Sequence, residues 1–510
     1  YQEKPQASSN VSNEDEEFDL MSSINSIAQF NKNASGENSA KEFSLRFLGR
    51  ALFCWFLREK DLIPKEIFDF KIYEEVKDNP SVAFEELFFY VLNVKMENRK
   101  FYKGRSMTIK KYQKQIPFLN GGLFSRQEND DKIKTIDNEI IKELFEFFSV
   151  YNFTVDESAP FDIEISIEPE MLGRIFENLL AEINPTTSES ARKETGSFYT
   201  PREIVDYMVC ESIKLYLKKK VKIQNEKIEK IFNIENETEY AKEEASEILK
   251  AIHEMKILDI ACGSGAFPIG ILQRVFMIID KLDESHEFYK ELLLKNIKGQ
   301  VKKEFEKLYE SKKFDYAYKL YILQNMIHGV DIQPIAIEIS RLRAFLSLIV
   351  EEEKNESEDN LGIKPLPNLE FNFISANSLI SIKVKNSAQQ SFNSMYVDGV
   401  VEKIKSISED YFNSSSKENK DNVKHRFNEL IDFIDKNDYL EKEDKKKFLS
   451  WNPFENQPAE FFDSEIQFGI KSFDIVIGNP PYGAKLTNEE KKIYKSLFKY
   501  TTQGAMDTYK

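Results

Sequence analysis

One short stretch, residues 473–483, constrains the fold of this chain more than any other, because an apolar run there ends abruptly in two prolines. The run Phe-Asp-Ile-Val-Ile is typical of a strand that is buried on both faces. Pro480 and Pro481 then remove two backbone donors and fix φ, so neither a helix nor a central strand continues. Gly478 and Gly483 flank the prolines and permit a sharp turn. The stretch therefore predicts a rigid elbow at the carboxyl end of a strand, where open α/β sheets bind ligands.

The elbow presents groups that suit the amino group of a flat aromatic base. The side-chain oxygen of Asn479 can accept one N–H, the carbonyl of Pro480 can accept the other, and Tyr482 can stack on the ring. Stacking of a base on an aromatic side chain contributes roughly 1–3 kcal/mol. Taken alone, the sequence Asn-Pro-Pro-Tyr is equally compatible with an ordinary β-turn, because such pairs mark many loops.

A Gly-x-Gly turn joins an apolar strand to an apolar helix within residues 256–282. Gly263 and Gly265 allow a ligand to approach the backbone, and the start of the helix offers free N–H groups to an anion such as a carboxylate. The turn lacks the third glycine of the dinucleotide fingerprint and the lysine of a P-loop. Asp259, just before the turn, favours a positively charged ligand group over a pyrophosphate. From this segment alone, a ligand-binding turn and a structural turn are both open.

Two further strands are predicted downstream, and each leads to a polar side chain. Residues 326–331 form an apolar run that ends in Asp331, and residues 371–376 form another that precedes Asn377. An acid at the tip of the second strand is where this architecture holds a ribose. Such an acid usually follows the Gly turn by about 20 residues. Asp331 follows Asp259 by 72 residues, so the charged segment between them is expected to loop out.

A capped helix is predicted ahead of the Gly turn. Thr200 is a good N-cap, and Pro201 suits the first helical position. The predicted apolar face comprises Ile204, Met208 and Leu215, with Val205 and Val209 alongside. On its own this segment favours a plain capped helix over part of a site.

The ordered set of these segments resembles the γ-class N6-adenine DNA methyltransferases, in particular the single-chain type IIG restriction–modification enzymes and related phage-defence methyltransferases. Residues 196–201 resemble motif ten of that family, and residues 259–265 resemble motif one. Asp331 and Asn377 stand where motifs two and three fall, and residues 479–482 resemble motif four. The resemblance covers residues 41–510.

The resemblance implies an α/β fold, in which a Rossmann-like, S-adenosylmethionine-dependent methyltransferase sheet follows a mainly α-helical N-terminal domain. It implies S-adenosyl-L-methionine as the cofactor and no metal ion. By the family pattern Asp331 grips the ribose hydroxyls, and Asn377 faces the cofactor's adenine, where the family more often has Asp. The cofactor-binding residues that it implies are Thr200, Asp259, Ala261, Gly263, Gly265, Asp331 and Asn377.

The activity implied by the resemblance is site-specific methylation of an adenine that is flipped out of double-stranded DNA. Asn479 and the Pro480 carbonyl would orient the amino group, Pro481 would stiffen the elbow, and Tyr482 would stack on the base. Positioning supplies most of the rate in such a reaction, so no cysteine nucleophile is required. Two alternatives are a protein-glutamine methyltransferase, because the elbow also suits a glutamine amide, and a catalytically inactive scaffold that binds nucleic acid.

Composition divides the chain into a flexible leader over residues 1–40, a helical domain over residues 41–160 and a methyltransferase domain over residues 161–510. Phe47, Ala51 and Trp55 recur at helical spacing and predict a buried helix in the second part. Charged insertions are predicted near 221–254, 283–325 and 383–470, and the aromatic segment 451–462 is expected to cover the sheet edge. Acid-x-Lys triplets at 69–71 and 75–77 are interpreted as chance matches rather than as a nuclease site.

Charge and cysteine content limit the partners and the compartment. The 510 residues carry a net charge of −16, so a DNA-binding surface is expected to be local or to lie outside this chain. Three widely spaced cysteines indicate reduced thiols and a cytoplasmic location, and no signal peptide or membrane span is predicted. Because the chain begins at Tyr1 and stops soon after the elbow, we expect a fragment. The last sheet strands, a target-recognition domain and a possible nuclease domain would then lie outside it.

Overall fold

The computed structural model describes residues 37–150, 200–233, 240–297, 299–382, 390–437, 440–481 and 488–498, apart from the single residues 102, 103, 121, 128, 415 and 456. Most of the predicted leader and the predicted domain boundary at residue 160 lie outside the described residues. The same is true of residues 196–199 and of Tyr482.

The chain divides into two compact units, and each is described by itself. The first comprises Tyr1–Leu119, Phe124–Pro185 and Glu353–Ile363. The second comprises Asn120–Leu123, Thr186–Glu352 and Lys364–Lys510.

The first unit is helical throughout its described secondary structure, as predicted for this region. Phe47, Ala51 and Trp55 are buried, which confirms the predicted buried helix. Asp69 caps a helix by accepting a hydrogen bond of 3.0 Å from the N–H of Lys71, so that acid-x-Lys triplet has a structural explanation. The α-helices are α1 (Glu37–Glu59), α2 (Phe70–Glu75), α3 (Pro80–Glu86), α4 (Met107–Tyr112) and α5 (Asn138–Val150). A π-helix, Leu87–Leu92, follows α3, and 3-10 turns lie at Lys65–Phe68, Met96–Phe101, Gln113–Gln115, Asp130–Thr135 and Asp359–Gly362.

The second unit combines four short strands with thirteen α-helices among its described residues. The strands are β1 (Ile257–Asp259), β2 (Ile327–Asp331), β3 (Phe373–Ser375) and β4 (Ile475–Ile477). The helices are α6 (Arg202–Lys220), α7 (Asn225–Ile231), α8 (Lys242–Glu254), α9 (Ala266–Leu282), α10 (Glu287–Asn296), α11 (Gly299–Glu310), α12 (Phe314–Asn325), α13 (Pro334–Ile349), α14 (Gln390–Phe412), α15 (Lys417–Lys436), α16 (Lys442–Ser450), α17 (Ser464–Phe468) and α18 (Asn488–Leu497).

The four strands form one parallel sheet in the order β3-β2-β1-β4, which confirms the predicted strands and the α/β class. Each strand is preceded by a helix, because parallel neighbours need crossover connections. In register, Asp259 lies beside Ile477 on one side and Gly329 on the other, and Asp331 lies beside Ser375. The carboxyl ends of all four strands therefore meet at one edge.

The predicted insertions are helical, but the segment 283–325 does not loop out as expected. Its helices α10 to α12 bury large side chains in the second unit, among them Tyr289, Phe305, Tyr316 and Tyr318. Charged residues on the outer faces of these helices conceal an apolar inner face, which is why the composition favoured a solvated insertion.

The segment 451–462 covers the edge of the sheet at β3, as predicted. Ala459 forms a parallel bridge with Ala376, and its N–H donates to the carbonyl of Ser375 at 2.9 Å. Trp451 and Phe461 on either side are buried. The strand edge is thus satisfied without a regular fifth strand.

Two predictions for the helix that follows Thr200 are wrong. The N-cap is Pro201, which has no side-chain hydrogen bond to offer, and α6 begins at Arg202. Part of the predicted apolar face is outward, because Ile204 is 49% exposed and Leu215 is 66% exposed, whereas Val205 and Val209 are buried as predicted. The buried face comprises Val205, Val209, Cys210, Ile213, Tyr216 and Leu217.

No helix within the described ranges combines the length and apolar character that a membrane crossing requires. Cys54, Cys210 and Cys262 are all buried and form no disulfide, in agreement with the predicted reduced thiols.

Candidate cofactor and substrate site

The carboxyl edge of the sheet brings together most of the predicted site residues. Asp259 ends β1, Asp331 ends β2, Asn377 follows β3 by two residues, and Asn479 follows β4 by two residues. Gly263 and Gly265 lie in the turn after β1. Six predicted residues from four motifs therefore lie at or just after the carboxyl ends of the strands of one sheet.

The Gly turn has the backbone conformation that makes glycine necessary. Gly263 has φ 51° and Gly265 has φ 86°, in the left-handed region. A β-carbon at position 265 would lie 2.9 Å from the hydroxyl oxygen of Ser340 and 3.2 Å from the Cα of that residue. The turn leads directly into α9, whose first N–H groups have no intrahelical acceptor. This arrangement suits an anion such as a carboxylate.

Asp259 is a buried carboxylate with spare acceptor capacity. The side chain is 1% exposed, and its Oδ1 accepts from the N–H of Ala261 at 3.1 Å. Its Oδ2 has no partner among the described residues. Burial raises the pKa of Asp259 to about 8, against the lowering effect of the Ala261 hydrogen bond. A buried carboxylate oxygen without a partner fits a ligand ammonium group, which would supply the missing hydrogen bond.

Gly478 makes room for the carboxylate of Asp259. A β-carbon at position 478 would lie 2.6 Å from Oδ1 of Asp259. The close approach follows from the pairing of β1 with β4, which places the start of the elbow next to the acid. The elbow and the first strand tip are therefore parts of one structure.

Asp331 links the tips of β1 and β2. Its Oδ2 accepts from the N–H of Gly263 at 2.9 Å, and its Oδ1 accepts from the N–H of Gln333 at 2.8 Å. Burial raises the pKa of Asp331, and these backbone hydrogen bonds oppose the increase. Each carboxylate oxygen has a second lone pair, so the group can also accept from a diol.

Asn377 is held by its own turn and by α18. Its Oδ1 accepts from the N–H of Leu379 at 3.0 Å, and its Nδ2 donates to the hydroxyl of Tyr494 at 3.4 Å. Tyr494 is buried on α18, although the rest of that helix is largely exposed. The helix that follows the elbow therefore packs next to the tip of β3.

Two exposed apolar residues at the strand tips were missed from the sequence. Ile332, which follows Asp331, is 54% exposed, and Leu379, near Asn377, is 39% exposed. The sequence signal for them, an apolar residue shortly after the polar end of a strand, was too weak to distinguish them from other apolar residues. Exposed apolar groups at a ligand-binding edge suit the faces of a planar ring.

Asn479 contacts Thr200, and this contact explains what Thr200 does in place of capping. The Nδ2 of Asn479 donates to the Oγ1 of Thr200 at 3.1 Å. Thr200 is buried, and Asn479 is partly buried. With its amino end engaged, the amide presents its oxygen to a ligand. Neither a helix nor a strand continues through Pro480 and Pro481, as predicted, while Tyr482 lies outside the described residues.

Two buried polar residues of α13 support the Gly turn and were also missed. The hydroxyl of Ser340 donates to the carbonyl of Gly263 at 2.8 Å. The Nη1 of Arg343 donates to the carbonyl of Ser264 at 3.2 Å. Both side chains are buried, at spacing i, i+3 on an otherwise apolar face. They hold two carbonyls of the Gly turn, while the N–H groups of Gly263 and Gly265 donate to Asp331 and to the carbonyl of Cys262.

Comparisons with known proteins found a methylase family, a curated relative and a solved structure that are similar to this chain. The Eco57I restriction-modification methylase family matches residues 325–510. A protein of Methanocaldococcus jannaschii, provisionally named a type II restriction enzyme and methyltransferase, is 28% identical over 535 residues, covering 90% of this chain and 42% of its own length. The solved structure of the type IIL restriction-modification enzyme MmeI in complex with DNA gives a TM-score of 0.42 at 15% identity, covering 77% of this chain and 42% of that chain.

The resemblance to a restriction–modification methyltransferase is thereby confirmed, and the matched family region contains β2, β3, β4 and the elbow. This chain spans 42% of the length of the curated relative.

Proposed function

We propose that this chain is the methyltransferase part of a site-specific DNA adenine-N6 methyltransferase that acts in restriction–modification or phage defence. The observation that carries the proposal is the hydrogen bond from Asn479 to Thr200 at the sheet edge that also holds the Gly turn and Asp259. An amide fixed in this way presents its oxygen to an amino group of a substrate. The restriction-modification methylase match over residues 325–510 supports the same class of reaction.

The residues present fit S-adenosyl-L-methionine as the cofactor. Asp259, with an unpartnered buried oxygen, would hold the ammonium group, and the first N–H groups of α9, directly after the Gly turn, would hold the carboxylate. The hydroxyl of Thr200 still has its hydrogen to donate to that carboxylate. The cofactor supplies a methyl group bonded to a positively charged sulfur, which is a methyl donor strong enough for a weakly nucleophilic amine.

The second half of the cofactor would lie across the tips of β2 and β3. Asp331 would accept from the ribose hydroxyls through the lone pairs that Gly263 and Gln333 leave free. Ile332 and Leu379 would pack against the adenine ring, and Asn377 would hydrogen bond to its edge. The hydrogen bond from Asn377 to Tyr494 directs the amide of Asn377, so α18 contributes indirectly to this half.

The elbow would hold the amino group of the target adenine. The Oδ1 of Asn479 and the carbonyl of Pro480 would each accept one N–H, which directs the nitrogen lone pair out of the ring plane. The same two acceptors stabilise the positive charge that the nitrogen acquires before it loses a proton. Tyr482, by the family pattern, would stack on the base. The adenine must leave the duplex to reach this edge, at a cost of a few kcal/mol.

Methyl transfer to defined substrates tests the proposal. The wild-type chain, supplied with tritiated S-adenosyl-L-methionine, should label adenine-containing duplex DNA and leave glutamine-containing peptides unlabelled. Asn479→Ala should abolish transfer and keep the cofactor Kd, measured by calorimetry, within a few-fold. Label in the peptides would instead support a protein-glutamine methyltransferase, and cofactor binding without any transfer would support an inactive scaffold.

Further partners follow from the same proposal. Double-stranded DNA would be the substrate, and target-recognition and nuclease domains in the longer protein would select and cut the site. A cytoplasmic location is supported by three unpaired buried cysteines.

A further inference from the structure

A short stretch of the first unit carries positive charge against the composition of the chain. Between Lys95 and Lys114 the sequence has eight basic residues and one acidic residue, Glu97, although the chain has a net charge of −16. The lysine run after the elbow is weaker, because residues 485–499 contain five lysines and two glutamates. The stretch 95–114 lies outside all the motifs described above.

The structure exposes four of the basic side chains of this stretch. Lys110 and Lys111 on α4 and Lys114 in the 3-10 turn that follows are exposed, as is Arg105 just before the helix. The opposite side of α4 is buried through Thr108, Ile109 and Tyr112. Lys110 and Lys114 are four residues apart, one in the last turn of α4 and the other in the 3-10 turn.

A buried arginine, Arg99, fixes the backbone that carries these side chains. Arg99 donates from Nε to the carbonyl of Val94 at 3.0 Å and from Nη1 to the carbonyls of Gln113 and Ile116 at 2.6 Å each. Its Nη2 donates to the carbonyls of Val91 and Pro117. Five backbone acceptors from both ends of the stretch are thus gathered on one guanidinium, so the loop geometry is fixed by the fold.

The nearby carboxylates do not neutralise the exposed basic groups. Glu86 accepts from the N–H of Ser106 at 2.8 Å and from the N–H of Arg105, while Asp78 accepts from the hydroxyl of Ser106 at 2.7 Å. Within the described part of the first unit, Arg105, Lys110, Lys111 and Lys114 form no ion pair. Glu66 acts on Lys111 only at longer range, and Lys111 donates to the hydroxyl of Tyr112 at 2.9 Å.

We propose that Arg105, Lys110, Lys111 and Lys114 form a basic surface that binds the phosphate backbone of double-stranded DNA. The inference rests on the proposed function for the choice of DNA. A strongly acidic chain repels a polyanion at long range, so it needs a local concentration of unpaired positive charge to hold one. Lysines in a last helical turn also complement the helix dipole, but that explanation does not cover Arg105 or Lys114. Met107 is 59% exposed, but Ile109 and Tyr112 of α4 are buried, so the surface offers one apolar side chain for insertion into a membrane.

Charge reversal on this surface, with a matched reversal elsewhere, tests the inference. The probe is a fluorescein-labelled duplex of arbitrary sequence, and anisotropy is measured over a range of salt concentrations. Lys110→Glu/Lys114→Glu should weaken binding by about tenfold or more and reduce the slope of log K against log salt by about 2. Lys442→Glu/Lys446→Glu on α16 makes the same charge change on two exposed lysines four residues apart and should stay within about twofold of wild type.

A protection experiment gives a second readout that does not depend on a variant folding. Acylation of wild-type lysines, followed by mass spectrometry, should show that the duplex protects Lys110 and Lys114 and leaves Lys442 and Lys446 reactive. Equal losses in both double variants, or no protection of Lys110 and Lys114, would overturn the inference. The inference would also be overturned if the Lys110→Glu/Lys114→Glu variant lost binding to phosphatidylserine vesicles while its binding to the duplex was unchanged.

Failure of this inference is distinguishable from failure of the proposed function. If adenine methylation proceeds and the Lys110/Lys114 variant binds the duplex like wild type, only the basic surface is wrong. If the variant loses duplex binding but the wild type transfers no methyl group to adenine, the basic surface stands and the proposed enzyme does not. Wild-type protein that binds no duplex even at low salt overturns the basic surface outright.

Discussion

The side-chain amide of Asn479 donates a hydrogen bond of 3.1 Å to the hydroxyl of Thr200, 279 residues earlier in the chain. The bond joins the elbow after β4 to the residue that leads into α6, two segments that resemble different motifs of the same family. It fixes which end of the amide is engaged, because a hydroxyl that accepts from Nδ2 leaves Oδ1 on the other side. Thr200 therefore acts on the orientation of Asn479 rather than on the start of a helix.

Thr200→Val is expected to lower kcat by about fivefold, because a lost hydrogen bond of roughly 1 kcal/mol leaves the amide of Asn479 free to rotate. Valine keeps the shape of threonine, so the buried position is filled. Methyl transfer to an adenine-containing duplex measures the effect at saturating cofactor.

Thr200→Ser is the control, since serine keeps the acceptor and should retain wild-type kcat within about twofold. Equal losses in the two variants would mean that packing of the methyl group matters and the hydrogen bond does not. A loss confined to cofactor affinity would assign the hydroxyl to the cofactor alone.

The strands and the functional residues at their ends could be predicted, because each strand is a short apolar run that ends at a turn residue or a charged residue. Parallel strands bring such ends to one edge, so Asp259, Asp331 and Asn479 are adjacent in space by topology alone. The edge cover by Ala459 was predictable for a similar reason, because aromatic residues in a polar segment have few places to be buried.

Other features depend on contacts that no local pattern contains. Apolar residues lie on two faces of α6, and periodicity could not decide that Val205 and Val209 are buried while Ile204 and Leu215 are exposed. The hydrogen bond from Ser340 to the Gly turn could not be predicted, because a serine in an apolar helix has many possible partners. The tyrosines of α10 and α12 lie among charged residues, so their burial was missed as well.

Asp259→Asn is expected to weaken cofactor binding by about tenfold to a hundredfold, because a charge-assisted hydrogen bond contributes roughly 1.5–3 kcal/mol. Because burial raises the pKa of Asp259 to about 8, the carboxyl group must lose a proton to pair with an ammonium group. Cofactor binding at about pH 7 should therefore release a proton and tighten as the pH rises towards 8. Calorimetry in two buffers of different ionisation enthalpy measures the release, which should be absent in Asp259→Asn.

Ionisation of Asp259 should lower the stability of the ligand-free protein as the pH rises from about 4 to about 8, because the folded state holds a proton on Asp259 that the unfolded chain releases near its ordinary pKa of 3.8. The contribution is fully present below the unfolded pKa and is lost as the pH passes through the folded pKa. Thermal unfolding at a series of pH values measures it. Asp259→Asn, which cannot ionise, should show a flatter profile in this range; an identical slope would mean that other groups dominate.

Gly478→Ala is expected to disrupt the site, because its β-carbon would lie 2.6 Å from Oδ1 of Asp259. Either the carboxylate moves or β4 shifts away from β1, and cofactor affinity should fall by at least about tenfold. Calorimetric titration measures the affinity. Gly399→Ala on α14 is the matched control, since no atom lies within 4 Å of its β-carbon position. That variant should bind the cofactor normally and gain roughly 0.5–1 kcal/mol of stability, because alanine is the better helix former.

Ser340→Ala is expected to raise the KM for the cofactor by about fivefold and to leave kcat within about twofold, because a lost hydrogen bond of roughly 1 kcal/mol loosens the Gly turn but not the elbow. The bond at risk is the 2.8 Å contact from the Ser340 hydroxyl to the carbonyl of Gly263. Ser347→Ala makes the same change on the same helix, where the hydroxyl donates to the carbonyl of Ala344 at 2.7 Å within α13. If the hydroxyl of Ser340 only stabilised α13, both variants would show the same melting temperature and the same KM. A rise in KM confined to Ser340→Ala, at equal thermal stability, identifies Ser340 as a residue that positions the cofactor turn.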